Sequence, residues 1–265
     1  RDTPLYLAVT FFLSLTAVVF AAILVARPDL FRIVFLAWTL AAMATGLLGI
    51  MGYFGLTGGR FTLYDRASGT FKDPNVFGPF LGPAIVYAIH LAVSRSLLRA
   101  LLPAAMLVLL SFAVVLSFSR GAWINLAMAV AVYVYLAIVL SPTNWQRLKL
   151  MVFVAAGALV AGCGLVALSE VPEIGRVLED RATLTQSYDE GPEGRFGGQR
   201  KALGLIAENP LGIGALEFAA THHFEDVHNV YLSMFLNAGW VGGILFAVLV
   251  SMTCVYGFAH ALKRT

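Results

Sequence analysis

Seven long apolar runs constrain the fold of this chain more than any other feature of its sequence. A helix needs about 20 consecutive apolar residues to cross the hydrocarbon core of a bilayer, and each run approaches or reaches that length. The runs lack the alternation of membrane-barrel strands, so helices are the structure that satisfies their backbone groups in lipid. We therefore predict an all-α polytopic membrane protein. The seven predicted spans are Leu5–Ala26, Ile33–Leu56, Val76–Val93, Leu97–Phe118, Ala122–Leu140, Leu148–Leu168 and Trp240–Phe258.

The composition of the chain agrees with this class. Of 265 residues, 59% are hydrophobic and 12% are charged, whereas a soluble globular domain has about 25% charged residues. The two cysteines, Cys163 and Cys254, lie inside apolar runs. They are typical of small packing residues, and their pattern predicts neither a disulfide nor a metal site.

The connections between the runs differ in charge. Eight of the 18 basic residues lie in short connections that hold a single acid, Asp29, while the other ten share their side with fourteen acids. Cytoplasmic loops carry the excess of lysine and arginine, so the basic connections are predicted to be cytoplasmic. The long loop Ser169–Val227 then faces outward, into the periplasm of a Gram-negative cell. The four basic connections are Arg27–Arg32, Ser94–Arg99, Ser141–Lys149 and Lys263–Arg264.

Three segments follow from this topology. We predict transmembrane helices one to six with short loops over 1–168, a partly helical periplasmic catalytic loop over 169–229, and the last helix with a cytoplasmic tail over 230–265. The number of spans is odd, the first begins outside, and the chain starts at Arg1 rather than at a methionine. We therefore expect further spans to precede this segment in a larger protein.

Two patterns in the first half predict local structure. Asp73-Pro74-Asn75 is typical of a helix start, since Asp accepts first-turn amides and Pro suits the first turn. The second run carries a glycine at every third position, which lets a neighbouring helix approach closely. These glycines are Gly46, Gly49, Gly52 and Gly55.

One arginine and one group of three cations lie near the outer ends of the runs. Arg120 stands in Ser117-Phe118-Ser119-Arg120-Gly121-Ala122-Trp123. It either extends to the membrane interface beside the tryptophan or points into an external cavity. The group of three either holds an anionic lipid head group or is simply solvated. It consists of Arg60, Arg66 and Lys72.

The long loop carries most of the polar chemistry. Its first part, Ser169–Glu193, is acidic and predicts a solvated surface. From Gly197 the pattern predicts a helix that stops at Asn209-Pro210, because the residue before proline avoids helical geometry. The predicted apolar side of this helix consists of Ala202, Leu203, Leu205 and Ile206.

Two arginines flank the predicted start of that helix. Arg195 comes just before it, and Arg200 lies in its first turn. A guanidinium beside free helix N-terminal amides makes a phosphate-binding corner. The alternative is that Arg195 is an ordinary solvated arginine of the loop.

Three histidines and two acids follow within seven residues, from His222 to His228. Adjacent His222 and His223 would point apart on a regular element, and the stretch has no HExxH or paired-cysteine pattern, so zinc is disfavoured. His228 opens an apolar run at the membrane boundary. An imidazole titrates near neutral pH, so it can accept a proton from a hydroxyl group, with Asp226 or Glu225 orienting it.

Four motifs, in this order and spacing, resemble the O-antigen ligase and polysaccharide polymerase superfamily from about Asp73 to Gly243. They are DPNVFG, SFSRGAW, GR-x4-R-x8-NPLGIG and HNVYL. The resemblance implies an inner-membrane glycosyltransferase with about a dozen spans, of which this chain is the C-terminal part. It implies a glycan donor on undecaprenyl diphosphate, and an acceptor that is lipid A-core in ligases or another carrier-linked glycan in polymerases. No metal and no other cofactor is expected, and beyond these substrates the predicted partners are membrane lipids, with no nucleic acid.

The resemblance also assigns residues. Arg195, Arg200 and Arg120 would stabilise the negative charge that builds on the leaving diphosphate, with Arg195 foremost. His228 would be the general base on the acceptor hydroxyl, giving direct inversion at the anomeric carbon. Asp226 would support the base, and Asn229 more naturally caps the following helix than takes part in chemistry. No role is assigned to His222 or His223.

Three other functions compete with a ligase. A polymerase of the same superfamily would share nearly every feature named above. A secondary transporter would place paired ionisable groups in mid-span across inverted repeats. Away from the terminal residues of the predicted spans, the only residue of this kind is His90, near the cytoplasmic end of its span. A scaffold subunit would tolerate replacement of His228 and of the arginines.

Overall fold

The computed structural model describes residues 3–171, 174–178 and 191–263, and the regular structure in these ranges is almost entirely helical. A two-residue strand β1 (Thr62–Leu63) pairs antiparallel with β2 (Arg66–Ala67). Most of the acidic stretch predicted to be solvated, Ser169–Glu193, lies outside the described residues. The long helices are α1 (Thr3–Ala26), α2 (Leu30–Tyr53), α3 (Pro74–Ser94), α4 (Leu97–Leu116), α5 (Arg120–Leu140), α6 (Asn144–Ser169), α7 (Arg195–Glu208) and α8 (Val230–Leu262).

Seven of these helices, all except α7, are long and apolar enough to cross a membrane. The prediction of an all-α polytopic membrane protein is confirmed. The largest difference in bounds concerns the last span, predicted as Trp240–Phe258, whereas α8 begins ten residues earlier at Val230. Ser233 and Asn237 dilute the apolar pattern of that first part, so hydrophobicity alone misses it.

The described chain divides into two compact units. We call Asp29–Thr183 the core unit, and Arg1–Pro28 with Leu184–Thr265 the loop unit. In the core unit, α3 packs against α2, α4 and α5. The side chains of Phe77, Leu81 and Ile85 on α3 are buried, as is Leu110 on α4.

Two glycines of α2 lie where neighbouring helices come close. A Cβ atom on Gly46 would lie 3.3 Å from the Leu110 side chain of α4, and one on Gly49 would lie 2.8 Å from the Phe77 ring of α3. The predicted close approach is therefore confirmed at these two positions. At Gly52 the neighbour is instead the loop after α2, since a Cβ there would lie 2.6 Å from the carbonyl oxygen of Arg60.

The start of α3 has the predicted chemistry. The Asp73 carboxylate accepts a hydrogen bond from the Asn75 amide at 2.8 Å, and Pro74 is the first residue of the helix. Aspartate at this position satisfies an amide that has no partner within the helix, while proline has no amide hydrogen to satisfy.

In the loop unit, α7 and α8 share a small apolar cluster. Its buried members are Ala202 of α7, Leu236 of α8, and Phe218 and Val227 of the segment between them. Leu205 and Ile206 pack against this cluster, as predicted. The prediction for Leu203 is wrong: its side chain is 57% exposed, because the position after Ala202 points about 100° away around a helix.

The turn after α7 is joined to a break in α8. Gly239 has φ 68° and ψ −170°, which interrupts the helix. A regular helix would pair the Trp240 amide with the Leu236 carbonyl. Here the Trp240 amide donates to the Pro210 carbonyl at 2.9 Å, and the Leu236 carbonyl accepts from the Ile213 amide at 2.7 Å. The turn 209–214 thus completes the hydrogen bonding of the broken helix, and we call this exchange the backbone clip.

Candidate functional site

His228 ends the loop that leads into α8, and its imidazole faces a carboxylate. Its Nε2 atom lies 3.3 Å from Oε2 of Glu225, three residues earlier. The two side chains are 52% and 53% exposed, so a substrate can reach the pair. The backbone of His228 has φ 49°, in the left-handed region that few non-glycine residues adopt.

The residues on either side of His228 are held firmly. The side chain of Asn229 accepts hydrogen bonds from the Tyr231 amide at 3.0 Å and the Leu232 amide at 3.3 Å. Asn229 is thus the N-cap of α8, and the interpretation of this residue as a cap is confirmed. On the other side, Val227 is buried in the apolar cluster. The backbone of His228 is therefore fixed just before the N-terminus of α8, between the buried Val227 and the N-cap Asn229.

The two candidate carboxylates differ. Glu225 contacts His228, whereas the exposed Asp226 makes no hydrogen bond or ion pair with any residue in the described ranges. The structure thus places Glu225, rather than Asp226, beside the predicted base.

The other two histidines of the stretch have separate environments. His222 ends a π-helical turn, Phe218–His222, and its carbonyl accepts a hydrogen bond from Nζ of Lys201 on α7. His223 is buried, and its ring lies over Gly198 of α7. Within the ranges that the structure describes, no group of three or more histidine, cysteine or acidic residues could hold a metal ion.

The N-terminus of α7 differs slightly from the prediction. Arg195 is the first residue of the helix rather than the residue before it, and Gly194 is the N-cap, with no side-chain cap bond. A glycine cap leaves first-turn amides without a side-chain acceptor. Arg195 is exposed and forms no hydrogen bond or ion pair with another residue in the described part of the chain. This corner can therefore offer both amides and a guanidinium to an anion.

The two arginines of α7 lie on different faces. Arg195 precedes Gly198 by three residues and Ala202 by seven, so it shares the face that packs against the histidine segment. Arg200 lies about half a turn away, next to the exposed Leu203. The structure thus places on different faces two arginines that the sequence predicts for one diphosphate site, with Arg195 foremost.

Arg120 belongs to the core unit, whereas Arg195, Arg200 and His228 belong to the loop unit. It is the first residue of α5, half-buried, and directly follows the N-cap Ser119. The Ser119 hydroxyl donates to Oδ1 of Asn75 at 2.8 Å. The DPN and SFSRGAW motifs therefore meet where α3 and α5 begin.

Sequence reasoning missed the part that Arg66 plays at this junction. The sequence predicts that Arg66 is a solvated or lipid-binding cation, yet its guanidinium donates to Oδ1 of Asn75 at 2.9 Å and to the Ser117 carbonyl at 2.8 Å. It joins the hairpin of β1 and β2 to both motifs. Arg60 and Lys72 of the same group are exposed. A half-buried arginine that bonds a side-chain amide and a backbone carbonyl leaves no periodic signal in the sequence.

One comparison with known proteins identifies a family. A family model described as O-Antigen ligase matches residues 105–247, which is more than half of the chain. The matched range contains Arg120, Arg195, Arg200 and His228. No similar curated protein and no similar solved structure was found.

Proposed function

The chain belongs to the O-antigen ligase family, whose members are glycosyltransferase-like enzymes with lipid-linked glycan substrates, and from this premise we propose that it is an O-antigen ligase. It moves a glycan from undecaprenyl diphosphate to a lipid A-core acceptor with inversion at the anomeric carbon. It does so in the bacterial inner membrane, with the polar segment of the loop unit on the periplasmic side.

The pair of His228 and Glu225 carries this proposal. A carboxylate that accepts a hydrogen bond from Nε2–H leaves the Nδ1 lone pair of the imidazole free to accept a proton. The acceptor hydroxyl oxygen attacks the anomeric carbon while its proton passes to Nδ1 of His228. The bond from that carbon to the phosphate oxygen breaks, and undecaprenyl diphosphate leaves with the bonding electrons. One displacement of this kind inverts the configuration.

The leaving diphosphate needs positive charge close to it. Arg195 and the free amides at the start of α7 can supply that charge. The amides do so in the fixed geometry of the helix, which stabilises the transition state more than flexible groups do. The glycine cap and the exposed guanidinium support this role for Arg195. Arg200 contributes to the positive field, and the part of Arg120 in binding the diphosphate stays a prediction from the sequence.

An apolar groove in the core unit supports a lipid-linked donor. The groove has a volume of about 1100 Å³ and lies among α2, α3 and α5. Val76 and Asn125 line it, next to the junction where Asn75 meets Ser119. An isoprenoid chain fits such a surface, because burying its methylene groups is favourable and a cationic junction suits its phosphates.

Complementation with a lipopolysaccharide gel tests the proposal. The full-length protein is expressed in a host that lacks its own O-antigen ligase but makes carrier-linked O-antigen. We expect wild type to restore the ladder on lipid A-core, and His228→Ala to abolish it because the acceptor hydroxyl keeps its proton. His222→Ala is the matched control, since its backbone carbonyl is retained, and it should keep the ladder.

Membrane abundance, measured by immunoblot, must be equal among the variants. A well-expressed wild type that gives no ladder contradicts the ligase assignment. A polymerase is then tested by the same gel in a host that lacks only its O-antigen polymerase. A ladder that survives in His228→Ala removes the general base from the mechanism.

A further inference from the structure

We infer that His223 is a positioning residue for His228 and acts through Glu225. This inference rests on the proposed function and assigns a role to a histidine for which the sequence suggested none. His223 holds the backbone of Glu225, and the Glu225 carboxylate in turn holds the imidazole of His228. Three observations support this relay: the burial of His223, the glycine beneath its ring, and its hydrogen bonding.

The His223 side chain is packed like an aromatic core residue. It is 8% exposed, and its ring stacks on Phe218 at 5.8 Å and on Phe224 at 4.8 Å between centroids. Ring stacking on two sides restricts the imidazole to one orientation. His223 therefore offers a rigid reference point in a segment whose neighbours Phe224, Glu225 and Asp226 are all exposed.

Gly198 of α7 makes room for this ring. A Cβ atom on Gly198 would lie 3.1 to 3.4 Å from three atoms of the imidazole, closer than a side-chain carbon normally packs. The hydrogen bond from Lys201 to the His222 carbonyl fixes the same segment one turn further along α7. The helix that begins at Arg195 and the segment that carries His228 are thus held together at His223.

The polar contact of His223 is directed at Glu225. Its Nδ1 atom lies 3.1 Å from the Glu225 carbonyl oxygen and 3.3 Å from the Glu225 amide nitrogen. Either tautomer therefore forms a hydrogen bond to the backbone of Glu225. The other ring nitrogen, Nε2, is buried and has no hydrogen-bond partner among the described residues.

A buried imidazole with one nitrogen unpaired is a costly way to fill space. A phenylalanine would pack on the same rings and on Gly198 without leaving a buried polar atom unsatisfied. The bond from Nδ1 is what the imidazole adds. Glu225 Oε2 lies 3.3 Å from His228 Nε2. The bond from His223 Nδ1 to the Glu225 backbone therefore positions His228 indirectly, through Glu225.

Two substitutions separate the ring from the hydrogen bond. His223→Phe keeps the stacked ring and removes the bond to Glu225. His223→Asn removes the ring but places a side-chain amide near the position of Nδ1, so it can keep the hydrogen bond to Glu225. Loss of Nε2 removes no hydrogen bond, because that atom has no partner among the described residues. The readouts are kcat and KM for glycan transfer by the purified full-length protein, together with its thermal stability.

We expect His223→Phe to lower kcat by about tenfold or more with KM little changed, the pattern of an interaction used only in the transition state. His223→Asn should restore most of kcat despite lower thermal stability. A residue that merely packs would give the reverse order, with Phe tolerated and Asn harmful. That order overturns the inference.

A double-mutant cycle with Glu225→Ala tests the relay itself. If His223 acts through Glu225, His223→Phe adds little further loss of kcat once the carboxylate is absent; independent roles would instead multiply their losses. Multiplied losses overturn the relay. If His223→Phe does not fold, His223→Gln replaces it, because its longer amide mimics Nε2 rather than Nδ1. Equal kcat for Gln and Asn then contradicts the relay.

Failure of this inference is distinguishable from failure of the proposed function. An inactive His228→Ala with an unaffected His223→Phe removes only the relay. A fully active His228→Ala removes the base, and the relay with it.

Discussion

At the scale of single residues, the backbone of His228 is held by its neighbours in an uncommon conformation. Its left-handed backbone is an uncommon conformation for a residue other than glycine, and such conformations persist where the surrounding structure enforces them. Here Val227 is buried on one side and Asn229 caps α8 on the other. The imidazole is thereby presented to solvent beside Glu225 while its backbone stays fixed.

The two arginines of α7 should differ in importance. We expect Arg195→Ala to reduce transfer by about tenfold to a hundredfold, as loss of a charge-assisted bond to a phosphate does. Arg200→Ala, on the opposite face, should reduce it only a few-fold through the weaker field. Kinetics of transfer from carrier-linked glycan measure both. A larger loss for Arg200→Ala contradicts the assignment of the phosphate corner to the Arg195 face.

At the scale of helices and turns, the backbone clip sets where the loop meets α8. The NPLGIG turn supplies the partners that the break at Gly239 leaves unpaired. The close fit requires small residues, since a Cβ on Gly239 would lie 2.5 Å from the Pro210 carbonyl oxygen. Trp240 reinforces the contact by donating from its indole nitrogen to the Ile206 carbonyl at 2.8 Å.

Gly239→Ala should therefore destabilise the protein markedly. The substitution forces a positive φ on a residue with a Cβ and drives that atom into Pro210, which together cost at least about 2 kcal/mol. Gly257→Ala is the matched control in the same helix, because a Cβ there meets no neighbour within 4 Å. Thermal unfolding in detergent should show a clear fall for Gly239→Ala and none for Gly257→Ala. Equal melting temperatures would show that the clip contributes nothing.

The sequence predicts the ends of a helix correctly where residues next to that end determine it. Asp73-Pro74 before α3, Asn209-Pro210 after α7 and Asn229 before α8 all act as the sequence indicates. The break at Gly239 could not be predicted, because it is stabilised by a turn some 30 residues earlier that no local pattern connects to it. The burial of His223 depends in the same way on a glycine 25 residues away.

At the scale of the whole molecule, hydrophobicity predicts which helices could cross a membrane. Seven apolar runs predict the seven helices, since crossing lipid leaves a chain few alternatives. The site is less predictable, because its residues come from several segments and their contacts depend on tertiary packing. Motifs in the sequence make His228 and Arg195 candidates, whereas the contact of Glu225 rather than Asp226 with His228, and the hydrogen bonds of Arg66, are seen only in the structure.

The predicted topology can be checked by labelling single cysteines in a variant whose Cys163 and Cys254 are alanine. Leu211→Cys places a thiol at a side chain that is 93% exposed, and we expect an impermeant maleimide to label it from the periplasm. Gln146→Cys lies in a basic connection, so it should react only after the inner membrane is opened. The opposite pattern would reverse the orientation, and would place His228 on the wrong side for its proposed acceptor.

The most direct measurement is glycan transfer in a purified system. The full-length protein, in lipid nanodiscs with EDTA present, receives undecaprenyl-diphosphate-linked O-antigen and lipid A-core, and the rate of product formation is followed. In the proposed mechanism arginine side chains and helix amides, and not a metal ion, stabilise the charge on the leaving diphosphate. Wild type should therefore remain active in EDTA. His228→Ala should lose at least about a hundredfold in rate, the usual contribution of a general base, while His222→Ala stays near wild type. Transfer by His228→Ala at the wild-type rate would contradict the account at its centre.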